Sequence, residues 1–331
     1  MKWKDRISWK VFIIILIILS AIFSIIMGLT LGSVDISFRE IVSILIGNEL
    51  SSNSTLIWEI RLPRVLVSAL AGLNLAVSGA LLQGIMRNPI ADPHIIGVSS
   101  GAALFGMVIL LVFPEHSQFL VPSAFLGAML TTLFVYLLAW NKGITPIRII
   151  LAGVAVSAFL SSAVSGLFTF YSDRVPGVLG FMVGSLSGVT WTSVYTILPY
   201  SIIGIILSLL GSQRMNIILL GDSEARSLGL NTEGYRIWFI AISAVLAASA
   251  VSVVGLLGFV GLIVPHAARI LVGNDYRILL PCTLFLGITT LTLSDTLARV
   301  SFAPIELPVG IIMGVIGAPF FLFLLRRKSQ L

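Results

Sequence analysis

The sequence predicts an all-α, polytopic membrane protein: one transmembrane domain spanning 1–331, with about ten transmembrane helices and short helices on its cytoplasmic side. Three observations lead there. Hydrophobic residues make up 57% of the 331 and charged residues 10%, at a mean hydropathy of +1.08, which is too little charge to cover a water-soluble chain of this length. Apolar runs of about 20 residues, the length that crosses the hydrocarbon as a helix, recur from end to end. The 20 basic and 14 acidic residues fall mostly between those runs.

In order, the runs are 11–31, 63–86, 94–113, 119–140, 146–170, 191–210, 235–257, 259–272, 279–298 and 304–325, the eighth too short to cross straight. The first follows Lys2, Lys4, Arg6 and Lys10 and is longer than a signal-peptide core, so it reads as a retained helix. With the N-terminus placed inside, alternation puts those four cations inside with Arg87, Lys142, Arg148, Arg214, Arg226, Arg236, Arg269, Arg277, Arg326, Arg327 and Lys328. Only Arg39, Arg61, Arg64, Arg174 and Arg299 fall outside. That asymmetry places both termini in the cytoplasm. Cations scattered singly at helix ends act as topology signals, and nothing points to nucleic acid as a partner.

Arg61 and Arg64 flank Pro63 in "EIRLPRVL", and Arg299 lies just past Asp295 at the far end of the ninth run. They read either as snorkelling anchors or as an electropositive docking surface for an acidic partner. The outer stretch 171–190 is too apolar for a loop and too glycine-rich for a span. It reads as a short re-entrant helix whose Gly180, Gly184 and Gly188 form a close-packing edge. The inner stretch 211–236 holds a short helix with Asp222 or Ser223 at its N-cap, Glu224 in its first turn and Gly229 at its end. Asn231 or Thr232 then starts the next helix, and the pair reads as a handle for a cytoplasmic partner.

The fifth run carries Ser157, Ser161 and Ser165 at i, i+4 and i+8, with Ser162 beside them. This polar stripe serves close helix packing, lines a translocation path, or does both. No G-x-x-x-x-G-K-[ST] loop, His/Glu metal motif or G-x-S-x-G elbow is present, so no catalytic residue, metal site or cofactor is expected. Cys282 stands alone, which excludes an internal disulfide. His94, His116 and His266 are isolated and read as local hydrogen-bonding groups. Asp295 and Glu306 fall near outer helix ends and Asp92 in an inner turn. No mid-span carboxylate is therefore expected, which argues against an intrinsic ion relay.

Four ordered motifs carry a family resemblance: "RLPRVLVSALAGLNLAVSGALLQGIMRNPIADPHIIGVSSGAALF" (61–105), "GDSEARSLGL" (221–230), "GFVGLIVPHAARILVGNDYRILLP" (258–281) and "LSDTLARVSFAPIELPVGIIMGVIGAPFFLFLL" (293–325). The chain resembles the FecCD/BtuC-type permeases, membrane subunits of ATP-driven importers of ferric siderophores, haem and vitamin B12. The segment 87–93, which departs only at Ile90, is most similar to the siderophore branch and reads as a rigid inner hinge. The resemblance implies ten helices per subunit, a second permease of the same or similar sequence, cytoplasmic ATPase subunits and an extracytoplasmic binding protein. It implies binding-protein docking at Arg61, Arg64 and Arg299. It implies coupling to the ATPase through Gly221, Asp222, Glu224, Ala225, Arg226 and Gly229, and a path lined by the serine-bearing helix. The expected cargo is a ferric siderophore, with haem or vitamin B12 as alternatives. An ion-coupled secondary transporter is the reading from a different class.

Overall fold

The computed structural model describes residues 7–32, 34, 36–47, 53–141 and 145–328; Lys2, Lys4, Arg6 and Lys142, used in the charge count, lie outside them. The helices are α1 (Ile7–Thr30), α2 (Phe38–Leu45), α3 (Leu62–Ile85), α4 (Val98–Met107), α5 (Leu120–Ala139), α6 (Pro146–Phe170) and α7 (Val175–Val183). They continue with α8 (Trp191–Leu220), α9 (Asp222–Ser227), α10 (Thr232–Val254), α11 (Val260–Val272), α12 (Tyr276–Val300) and α13 (Val309–Lys328). Among the described residues, seven helices are long and apolar enough to cross a membrane. Three shorter apolar ones (Val98–Val112, Val260–Val272 and Val309–Leu322) complete the ten runs expected.

Local chemistry sets several starts. Proline occupies the first turn of α3, α6 and α7, where its missing N–H costs nothing and its fixed φ suits a helix. Side chains cap α2 (Ser37), α10 (Asn231) and α12 (Asp275) by accepting first-turn amide bonds.

α3 is the axis of the bundle. Its apolar window is 89% buried, against 28% for α6, so α3 is wrapped by protein while α6 lies at the periphery. Small polar residues join α3 to its neighbours. Ser68 meets Thr292 of α12 at 3.1 Å, Asn74 Nδ2 donates to Ser249 Oγ of α10 at 3.1 Å, and Ser78 meets Ser243 at 2.7 Å. In an apolar surround such pairs draw helices together where bulkier apolar side chains would hold them apart.

The short helix expected within 171–190 is present as α7, and of its three edge glycines only Gly184 is closely packed, a Cβ there meeting Leu257 at 2.6 Å and the Leu256 carbonyl at 2.9 Å. A Cβ at Gly177 or Gly188 would meet nothing within 4 Å, and one at Gly180 only Ser185 of its own segment. α7 is held at its C-terminal end by backbone bonds as well. Leu256 N donates to Phe181 O at 2.9 Å, Ser185 N to Val254 O at 2.9 Å and Gly310 N to Gly184 O at 3.1 Å. The spacing of glycines could not reveal this, because the contact is made by the chain's exit at Gly184, where φ is +85°.

Candidate functional site

Four clusters of polar side chains stand out in the apolar bundle. The first lies at the end holding the C-terminus of α1 and the N-terminus of α3, termed outer here after the charge distribution. The structure does bring Arg61, Arg64 and Arg299 together there, yet as buried groups with 3%, 7% and 5% exposure. Arg64 reaches Asp295 through Nε (3.0 Å) and Nη2 (2.9 Å), and Glu306 through Nη1 (2.6 Å). Arg299 Nε lies 3.2 Å from Asp295 Oδ2, the oxygen that also accepts from Arg64 Nε. Arg61 donates to the carbonyls of Leu29 (2.7 Å), Thr30 (2.9 Å) and Val34, and Arg299 Nη2 to that of Gly28 (2.9 Å).

The last carbonyls of α1 have no partners within the helix, and a guanidinium with five donors suits several acceptors at once. From charge alone these cations are anchors or a docking surface; in the structure all three are buried within this chain. These cations bind α1 and the loops to the bundle, and Glu306, with a 39% exposed side chain, is the cluster's most accessible acid. The sequence held no sign that the end of α1 would arrive beside Arg61, 31 positions on from Thr30.

At the opposite, inner end, α9 follows Gly221, whose φ of +135° lets the chain turn out of α8. Asp222 does not cap α9. It accepts two 2.8 Å bonds from Arg236 Nη2 of α10 and one from Arg87 just past α3. Burial alone would raise the Asp222 carboxyl, but Arg236 and Arg87 together hold it below the usual carboxylate range. Arg87 also donates to Ile218 O of α8 at 2.9 Å, so one joint links α3, α8, α9 and α10.

Ala225 is buried, while Glu224 and Arg226 are exposed. The Ser223 hydroxyl, and then a backbone amide, hold Glu224 below its ordinary value. Bonds from Gly229 N to Arg226 O (2.9 Å) and Leu230 N to Ala225 O (3.0 Å), with Gly229 at φ +78°, close α9 in a Schellman turn at the expected glycine. Arg87 and Arg236, members of this joint, had been read only as topology signals.

The third cluster is the serine stripe. Ser157, Ser161 and Ser165 line a cavity of about 420 Å³ with His94, Ser99, Ser100, Phe168 and Met182, and Ser157 meets Ser100 of α4 at 3.1 Å. Ser161 and Ser165 are exposed, so the cavity opens on the side of a single chain.

The fourth cluster corrects the placement of 87–93. Beyond Asn88 the chain does not stay at the inner rim but climbs back into the bundle. A Cβ on Gly261 would come within 3.1 Å of the Leu75 carbonyl and 3.2 Å of Asp92 Oδ2, so Asp92 sits beside Leu75. Leu75 lies about 15 Å along α3 from its inner end at Ile85, near mid-depth. A Cβ on Gly153, about 10 Å into α6 from its inner end, would strike Ile95 O, an independent gauge of the same depth. Asp92 is thus a mid-depth carboxylate where none was expected. It accepts a bond from His94 N at 2.9 Å and so caps the short 93–96 turn.

These features, an apolar ten-helix bundle with a hydroxyl-lined cavity and a braced inner helix, coincide with a match to the model of the FecCD transport family over residues 14–327. The chain belongs to the FecCD transport family. The Fe(3+)-citrate import system permease protein YfmD of Bacillus subtilis (strain 168) is 39% identical, the alignment covering 99% of this chain and 98% of YfmD. The cobalamin import system permease protein BtuC of Halobacterium salinarum is 42% identical, over 82% of this chain and 73% of that protein. A solved structure described as an inward-facing conformation of a metal-chelate type ABC transporter superposes with a TM-score of 0.85 at 31% identity. It covers 95% of this chain and 99% of that one. This FecCD member is a multi-pass membrane permease.

Proposed function

We infer that this chain is the permease subunit of an ATP-driven importer and that its cargo is a ferric chelate of the siderophore or citrate type. The cavity along Ser157, Ser161 and Ser165 carries this reading, since it offers hydroxyls without fixed charge to an oxygen-rich cargo that must be released again. The exposed face of α6 has Ile147, Leu151 and Val154 along its inner half and Ser161 and Ser165 farther on, so a second permease covering it would close the cavity into a path. That apolar half would otherwise face lipid.

Both termini are cytoplasmic in this reading, and an ATPase subunit receives α9 through Glu224, Arg226 and Leu228, all exposed. Movement of α9 reaches α3 and α10 through Asp222. A binding protein docks at the outer end. There Arg61, Arg64 and Arg299 contribute from beneath, by fixing the rim that carries Glu306. Complementary charge at such a rim sets encounter and register more than affinity.

The test is uptake by cells lacking this permease and by cells carrying it back. They receive labelled iron as ferric citrate, as ferric hydroxamates and as haem, beside labelled cobalamin. Rescue of one non-haem ferric chelate, lost on ATP depletion and kept under an uncoupler, supports the reading. Rescue of haem or cobalamin alone keeps the machine and replaces the cargo. Rescue that follows the proton gradient overturns the ATP-driven mechanism.

A further inference from the structure

The serine-lined cavity has one ionisable side chain in its wall, and it comes from the segment that climbs to mid-depth. The rest of the lining is serine, alanine, valine, phenylalanine, methionine and leucine. His94 Nε2 lies 3.2 Å from Leu257 O and 3.7 Å from Asp92 Oδ1. Both neighbours are acceptors, so Nε2 carries a hydrogen and fixes the ring. Nδ1 has no bonding partner among the described residues, and the His94 side chain is 38% exposed.

The Asp92 side chain is 11% exposed, and His94 Nε2, 3.7 Å from Asp92 Oδ1, is the one basic group within 4 Å of the carboxylate among the described residues. A buried carboxylate at mid-depth is expensive unless a compensating group faces it, and such residues persist where they serve transport. A second atom in the same wall also lacks a partner. Ser99 Oγ is buried with no hydrogen bond, although Ser99 lines the cavity and is only 7% exposed. Buried hydroxyls are nearly always bonded, so turning this orphan into the cavity would give it a ligand or water partner.

We propose that His94, oriented by Asp92 and working beside Ser99, contacts the cargo in the path and selects oxygen-rich, anionic chelates. The proposal rests on reading the cavity as the translocation path. Asp92 acts here as a positioning residue. Nδ1 is the ring nitrogen left to the cargo, and because Nε2 already holds a hydrogen, Nδ1 donates to a carboxylate or hydroxamate oxygen only in the imidazolium form, whose charge is what would select an anionic cargo. A ring that merely struts the 93–96 turn against Leu257 would have no such effect on cargo.

The test uses the complete importer, with its ATPase and binding protein, reconstituted in liposomes, and reads cargo delivered per ATP hydrolysed. The cargo is whichever of ferric citrate, a ferric hydroxamate, haemin and cyanocobalamin the wild type imports. For an anionic cargo, His94→Ala lowers the ratio about tenfold or more, the loss of one charge-assisted hydrogen bond. His94→Gln, which keeps a donor, recovers most of it, and Asp92→Asn falls between. Should His94→Ala fail to assemble, the Gln and Asn variants decide.

An unchanged ratio in every variant overturns the proposal. So does a loss of equal size in Gln and Ala, which marks a strut. Import of haemin or cyanocobalamin alone removes the ferric-chelate reading of the whole protein. Import of uncharged cargo with no His94 dependence also removes the selectivity proposed here. A wild type that imports none of the four overturns both.

Discussion

Asp295→Ala removes the centre of the outer ion cluster. The Asp295 side chain is 2% exposed and lies between Arg64, 9% exposed, and Arg299, 5% exposed. Without it Arg64 keeps only the partly exposed Glu306, and Arg299 keeps backbone carbonyls. Breaking a buried pair by deleting one partner costs about 3–5 kcal/mol, because the surviving charge stays desolvated.

The chain carries its own reporter. Cys282, the single cysteine, is buried on α12, the helix that carries Asp295. Maleimide reaches that thiol only when the helix opens, so under native conditions the labelling rate follows the opening equilibrium. The cost corresponds to labelling faster by about a hundredfold or more. Arg277→Ala breaks the exposed Arg277–Asp275 pair and serves as the comparison, with an expected change of a few-fold at most for about 0–1 kcal/mol. Because Arg64 and Asp295 share one interaction, their double alanine variant costs less than the two singles added. Asp295→Ala labelling within about fivefold of wild type would refute the reasoning, since that is the range of a surface pair.

Other outcomes follow from the inner joint and from the close helix contacts. Asp222 is held below the ordinary carboxylate value, so its contribution is present above that value and is lost as pH falls through the lowered one. Hydrogen exchange in α9, corrected for intrinsic rate, therefore stays protected from neutral pH down to about 5, and protection lost near neutrality would contradict the pairing. Asp222→Asn exposes α9 at every pH and lowers transport per ATP, whereas Glu224→Gln affects ATPase association without loosening α9. Gly79→Ala places a Cβ 1.9 Å from the Gly261 carbonyl, which forces α3 from α11 at about 1–3 kcal/mol or more, read by the same Cys282 labelling. Gly314→Ala meets nothing within 4 Å and changes stability by less than about 0.5 kcal/mol.

The membrane fold was legible because each span announces itself locally, through an apolar run flanked by charge, proline or glycine. Gly229 and Asn231 were legible for the same reason, since capping is settled within a few residues. The serines of α6 could be placed on one face by spacing alone, and the structure adds the cavity in front of them.

What stayed hidden depends on distant approach. Arg61 looked like a surface cation because nothing near it in sequence shows that α1 brings its terminal carbonyls alongside. Asp92 looked like a rim residue because two prolines and a turn give no depth, and only the Gly261 and Gly153 contacts reveal the climb. His94 was isolated in sequence, while its partner Leu257 lies 163 positions away. The glycine period in 171–190 held only at Gly184, because periodicity describes one helix face and cannot say how much of it another segment reaches.

The most direct measurement is cargo delivered per ATP by the complete importer in liposomes, comparing wild type with a variant carrying leucine at Ser157, Ser161 and Ser165. The account predicts that the leucine stripe abolishes ferric-chelate delivery while ATP hydrolysis continues, because the path is blocked and the inner joint is untouched. Delivery that persists at the wild-type ratio would contradict it, and the path would have to run elsewhere in the bundle.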